Sequence, residues 1–308
     1  MTEHWDQQRE RGTPFMMYLL VKTALLCGRH VVRVVLWPIV GYFLLTSPAS
    51  VRASRHALAR LLRRPARYAD VLRHFYSYAA CALDRVLLLC GRNPRLQVSI
   101  HQPPELPNTV KRGGCVLLVS HMGSVEVMRS VEVLRTVKVA DHDLQVSVLM
   151  DLQAGRKFFG LMKRFNPRLD MNIIDAGMRG PQLVLALKAE LDAGRVVGIA
   201  ADRARADERS IEVEFAGGKA RVPEGPWLLA AACKVPILLG FCLYQGGNRY
   251  AAHFEVFSDR LELPRDTRAA ALQAVAQRYA QRLEHYACSA PYNWFNFYEY
   301  WPSDMAKP

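Results

Sequence analysis

From about residue 113 onward, short apolar runs rich in β-branched residues alternate with longer amphipathic ones. Strands and helices laid down in turn produce that pattern, and it confines the chain to an α/β sheet. Cys115–Ser120 (CVLLVS) is a continuous apolar run of strand length, followed by a helix over Val125–Val137. Val146–Met150 is a second strand, with a helix near Gly155–Phe165, and Asn172–Asp175 is a third. The next helix, Pro181–Ala193, has Pro at its start and Gly194 just past its end, the usual asymmetry of helix termini. Further strands fall at Val196–Ala201, Ile211–Phe215, Ile237–Tyr244 and Tyr250–Phe257, with helices at Pro226–Lys234 and Ala269–Tyr286. The expected fold is a mixed, mostly parallel sheet flanked by helices over residues 109–308. Helices within 1–92 precede it, joined by a Pro-rich link at Asn93–Asn108.

The N-terminal third differs in kind. Phe15–Leu26 is apolar except for Lys22, and Val34–Leu45 (VVLWPIVGYFLL) carries no charge, with Arg29, His30 and Arg33 between them. A twelve-residue helix is about 18 Å long, against a hydrocarbon core of roughly 30 Å. Spanning would need both runs fused, with cations at membrane depth and Pro38 inside the second run. No small-residue cleavage site follows, as a secretory signal would require. The segment fits a monotopic anchor, apolar faces in the acyl boundary and cations at the headgroups; a buried helical hairpin is the plain alternative.

Charge agrees with that division. Of the net +13, residues 1–100 hold 15 Lys and Arg against 5 Asp and Glu, so +10 lies there and +3 in the remaining 208 residues. Val51–Leu62 alternates Arg with Ala and Leu in a helical stretch, offering either a solvated face or a surface for anionic headgroups. No helix-turn-helix, zinc finger or aromatic ribonucleoprotein motif is present, so no nucleic-acid partner is expected. The seven cysteines lie far apart without a C-x-x-C, and most sit in apolar surroundings, as small buried thiols of a reducing compartment do. No metal-ligand spacing, Walker A loop, Rossmann fingerprint or G-x-S-x-G elbow occurs, and no metal or cofactor is expected.

The chemistry should lie where strands hand over to helices. The first such junction is Ser120-His121-Met122-Gly123-Ser124-Val125-Glu126. An imidazole with a carboxylate on one ring nitrogen has its tautomer fixed and its other nitrogen made more basic. Across a turn, His121 and Glu126 can meet in that way. Gly123 allows close backbone approach, and the helix start offers amides to an anion. Ser124 is either an N-cap or an assistant donor.

This junction resembles the H-x4-D/E block of glycerolipid and lipid A acyltransferases. Ala201-Asp202-Arg203, Phe215-Ala216-Gly217-Gly218-Lys219-Ala220 and Val222-Pro223-Glu224-Gly225-Pro226 are similar to stretches of the bacterial lipid A lauroyl/myristoyl acyltransferase family. The run Pro291-Tyr292-Asn293-Trp294-Phe295-Asn296-Phe297-Tyr298 and the leader Glu3-His4-Trp5 with Arg11-Gly12 look like a subgroup found with aryl polyene or xanthomonadin-type pigment biosynthesis. The resemblance implies a glycerolipid acyltransferase-like fold. It also implies transfer of a fatty or aryl polyene acyl group from an acyl carrier protein thioester, or acyl-CoA, to a hydroxyl or amine of a membrane lipid-type acceptor. In that scheme His121 is the general base and Glu126 orients it. Arg203 and the amides near Gly123 are oxyanion donors, and Asp202 either binds the acceptor or pairs with Arg203. Such an enzyme would sit on an anionic membrane surface, at the cytoplasmic face of the cell inner membrane.

Departures from the family pattern bear on the acceptor. Ser124 and Val125 stand where lipid A enzymes typically have Asn and Trp, and the C-terminal aromatic run replaces a basic ending. A lysophospholipid or glycerophospholipid acyltransferase is the alternative enzyme. The alternative of another class is a non-catalytic homologue that binds lipid or carrier protein in a pigment-synthesis assembly.

Overall fold

The computed structural model describes residues 14–92, 94–130, 145–152, 156–167, 172–178, 180–205 and 208–301. The leader motifs and the end of the helix expected to reach Val137 lie outside the described residues.

Seven strands form one sheet: β1 (Gln97–His101), β2 (Cys115–Val119), β3 (Val146–Met150), β4 (Ile173–Asp175), β5 (Val196–Ala200), β8 (Ile237–Tyr244) and β9 (Arg249–Ser258). Their order is β1-β9-β8-β2-β5-β3-β4. Every neighbouring pair is parallel except β8 and β9, which form an antiparallel hairpin. The central strands β2 and β8 are buried at every residue, which is why they are continuous apolar runs rather than alternating ones. The expected mixed, mostly parallel sheet is present.

Strand alternation divides the core by face. Val116 and Leu118 of β2 pack in a cluster with the helices α7 (Pro181–Asp192), α8 (Gly225–Cys233) and α9 (Arg268–Ser289). Cys115, Leu117 and Val119 point the other way, into a cluster with α1 (Pro14–Thr46), α3 (Tyr68–Leu89), α4 (Leu106–Lys111) and α5 (Val125–Met128). Two further helices are α2 (Pro48–Leu62) and α6 (Arg156–Phe165). A separate hairpin, β6 (Ser210–Phe215) and β7 (Gly218–Pro223), turns at Ala216-Gly217. It lies on α9, where Gln273 and Gln277 donate to the carbonyls of Glu212 and Glu214.

Two elements lie where no strand was expected. β1 falls within the Pro-rich link and pairs with β9 as the sheet's edge strand; its half-exposed alternation and flanking prolines hide it. β7 carries Lys219 and Arg221 on its solvent side and lacks an apolar run.

α1 is two helices meeting at Gly28, whose backbone (φ 77°, ψ 171°) no helix can hold. The break separates the two apolar runs. Just beyond it, Arg29 is locked to buried Asp84 of α3 by a two-pronged contact of 2.5 and 2.7 Å. The Tyr250 hydroxyl donates to the same carboxylate at 2.7 Å. Arg33 reaches the Tyr244 hydroxyl and the Gly247 carbonyl at the β8–β9 turn. Arg29 and Arg33 are therefore held by protein. Past them, Val32, Leu36 and Val40 are buried, while Val31, Val34, Trp37, Tyr42 and Leu45 on the other side are exposed. By length and composition Val21–Thr46 is apolar enough to cross a membrane.

Candidate active site

The sheet register builds the site. Val119 of β2 is level with Ala200 of β5, and Ala201 N–H donates to the Val119 carbonyl at 3.0 Å. Continuing both strands by two residues brings His121 level with Asp202. There the His121 Nδ1 and Asp202 Oδ1 are 2.8 Å apart. The imidazole is 42 % exposed and the carboxylate is fully buried, so one end of the pair meets solvent and the other does not.

Asp202 is charged despite its burial. Desolvation pushes its pKa up, but Arg203 and His121 outweigh this and hold the carboxyl well below the usual carboxylate range. Arg203 donates to Oδ2 from Nε at 3.2 Å and from Nη2 at 3.0 Å, and Nη2 also meets the Phe295 carbonyl at 3.3 Å. The Tyr300 hydroxyl donates to the Asp202 backbone carbonyl. An ionised carboxylate accepts and cannot donate. Nδ1 must therefore carry the proton, and the base lone pair resides on Nε2.

The turn bearing His121 is stitched from two sides. Phe295 N–H donates to the His121 carbonyl at 2.8 Å, Gly123 N–H to the Asn293 carbonyl at 2.9 Å, and Ser124 N–H to the Cys242 carbonyl at 3.0 Å. The Asn293 side chain grips Tyr244 in turn, accepting from its N–H at 2.6 Å and donating to its carbonyl at 3.1 Å. Gly123 sits at φ +59°, and a Cβ there would lie 1.7 Å from the Cys242 oxygen. The glycine is required by packing and backbone geometry.

Behind the turn lies the aromatic run, the other unusual sequence feature. Trp294 and Trp301 are almost completely buried. His74 of α3 stacks on Phe297 at 4.6 Å. Its Nε2 donates to the Trp294 carbonyl at 3.0 Å and its Nδ1 accepts from the Ser54 hydroxyl at 2.7 Å. Both contacts suit the neutral ring, and burial lowers its pKa to about 4.

The expected site residues separate into two groups. His121, Asp202 and Arg203 come together. Glu126, expected to orient His121, lies with Oε1 2.7 Å from Arg85 Nε on α3, and the carboxylate on the imidazole is that of Asp202. The reason is geometric: α5 begins at once after Ser124 and carries Glu126 towards α3. The amides of Gly123 and Ser124, expected as oxyanion donors, are engaged by Asn293 and Cys242. Ser124 Oγ caps α5 by accepting from Val127 N–H at 3.3 Å, the plain reading of that residue. Arg203, also expected as an oxyanion donor, directs Nε and Nη2 to Asp202 and Phe295 and serves as a clamp. Asn293 and Phe295, which hold the turn, carried no sequence signal beyond their place in an aromatic run.

The class is thus a three-layer α/β protein with an exposed histidine backed by a buried aspartate at adjacent strand ends. The profile of the family described as bacterial lipid A biosynthesis acyltransferase matches residues 110–303. That span is more than half of the chain, and the chain belongs to this family. Acyl transfer is the reaction class that membership carries. A comparison with curated proteins gives no match.

Proposed function

We propose that this protein transfers an acyl group from a thioester, on an acyl carrier protein or coenzyme A, to a hydroxyl or amine of a membrane lipid-type acceptor. One observation carries the reading: His121 is open to solvent while its Nδ1 is held by buried, ionised Asp202. In the reaction, Nε2 takes the acceptor's proton as its oxygen or nitrogen attacks the thioester carbonyl. The tetrahedral intermediate then collapses with cleavage of the C–S bond. The thiolate leaves and takes the proton back from the imidazolium, so His121 returns to its starting state. Asp202 keeps the ring in the correct tautomer and stabilises the imidazolium.

The acyl group is fatty or aryl polyene, the latter suggested by the aromatic run 291–298 that resembles the pigment-associated subgroup. Attachment is monotopic, on the cytoplasmic face of the cell inner membrane. The exposed side of α1, Val31 to Leu45, enters the acyl boundary, and arginines 52, 55, 63 and 67, all exposed, meet anionic headgroups. A lysophospholipid acceptor fits the same chemistry. The purely lipid-binding alternative leaves a pre-oriented histidine base without a role.

The test is product formation from acyl carrier protein or acyl-CoA with a lipid extract, comparing wild type with His121→Ala. Transfer abolished by the substitution is the expected result. Equal product from both would remove His121 from the mechanism.

A further inference from the structure

Displaced from His121, Glu126 belongs to a second charged cluster on the face of the sheet covered by α3. Arg85 approaches it from α3. Arg129, one turn further along from Glu126, interacts electrostatically with both. Both guanidinium groups thus act on the Glu126 carboxylate, which Arg85 contacts directly.

Arg129 is poorly matched. A guanidinium carries five N–H donors. Among the described residues its side chain makes one long hydrogen bond, from Nη2 to the Val146 carbonyl at 3.5 Å, and its buried Nε has no partner. An arginine does not escape such a position by losing its proton, and an enclosed donor left unmet on a half-buried cation is costly. The cluster also has an opening. The Arg85 side chain is one-third exposed and lies over the Phe158 ring of α6 at 4.9 Å. Both arginines are half-buried, and the Nε of Arg129 is enclosed.

The missing partner must be an anion able to face two forks while Glu126 remains. A planar carboxylate presents only two oxygens. A tetrahedral phosphate presents more, and paired arginines suit it. We propose that Arg129 and Arg85 form a binding site for the phosphate group of a substrate. Resting on the acyl-transfer reading, that phosphate has two sources: the pantetheine arm of the thioester donor, or the headgroup of a phospholipid acceptor. Glu126 tunes the site by occupying part of Arg85 and setting how much negative charge it accepts.

Calorimetric titration of the full-length protein in neutral detergent tests this with inorganic phosphate, phosphopantetheine and unphosphorylated pantetheine. Mixed micelles of phosphatidic acid against diacylglycerol form the acceptor arm. Phosphorylated probes should bind wild type and weaken about tenfold or more in Arg129→Gln, with an intermediate loss in Arg129→Lys. Glu126→Gln should tighten them by removing a competing anion, and it carries the test if Arg129→Gln does not fold. The arm whose phosphate shows this discrimination identifies the source. Equal affinity in wild type and Arg129→Gln, or no phosphate-dependent binding in either arm, overturns the proposal. Binding needs no turnover: phosphate recognition without acyl transfer would sink the acyltransferase reading alone, and transfer without phosphate discrimination would sink this one alone.

Discussion

The hydrogen bond between His121 Nδ1 and Asp202 Oδ1 joins residues 81 positions apart in sequence by extending the register of two adjacent parallel strands. It makes Asp202, two residues past the end of β5, the partner of the histidine that closes β2. The motif's own acidic residue, Glu126, faces Arg85. The roles of the two carboxylates can therefore be separated by substitution.

Asp202→Asn should lower kcat by about 10³-fold, because the amide can present its N–H to Nδ1 and stabilise the wrong tautomer. Glu126→Gln should cost far less in kcat. Steady-state rates on both variants decide the matter, and the reverse ranking would return the orienting role to Glu126.

Stability should fall in mild acid through His74. The folded protein holds this ring neutral with a pKa of about 4, whereas an unfolded histidine protonates near 6.5. Between those values the unfolded state binds more protons, so the stabilisation present above pH 6.5 is lost as pH falls towards 4. The slope is about 1.4 kcal/mol per pH unit, totalling roughly 3 kcal/mol. Urea midpoints measured from pH 7 to 4.5 should show that slope in wild type and a shallower one in His74→Gln.

Gly123→Ala should destabilise the fold by about 3 kcal/mol or more and abolish activity. The added methyl meets the Cys242 carbonyl at an impossible distance, in a backbone region that disfavours any Cβ. Thermal unfolding reports the first effect and acyl transfer the second. A variant with wild-type Tm would mean that the turn is held less tightly than its hydrogen bonds indicate.

Val34 and Leu45 are 70 % and 86 % exposed, so Val34→Glu with Leu45→Glu should leave Tm within a degree or two. Partition to anionic vesicles should drop by at least about tenfold as two apolar contacts become charged. Unchanged vesicle binding would place the membrane contact elsewhere on the surface.

The sheet was legible in the sequence because its central strands are buried on both faces and therefore stand out as apolar runs. His121, the proposed base, was legible because a polar residue closing such a run is conspicuous. Asp202 was visible beside Arg203, but its role depends on β5 lying next to β2, and strand order is a tertiary fact that local pattern does not encode. Glu126 misled for the same reason: spacing of five residues across a turn permits contact with His121, and the direction in which α5 leaves the turn decides against it. β1 and β7 escaped notice because β1 is half-exposed between prolines and β7 carries Lys219 and Arg221, so neither shows an apolar run.

The stitching of the His121 turn by Asn293 and Phe295 has a consequence for the order in which the molecule is assembled. During synthesis α1 and every strand of the sheet emerge from the ribosome before residue 293 does. The core can form while the histidine loop still lacks the segment that pins it. The proposed membrane contact precedes the completed His121 turn, so the proposed anchor would be in place before the proposed site is assembled.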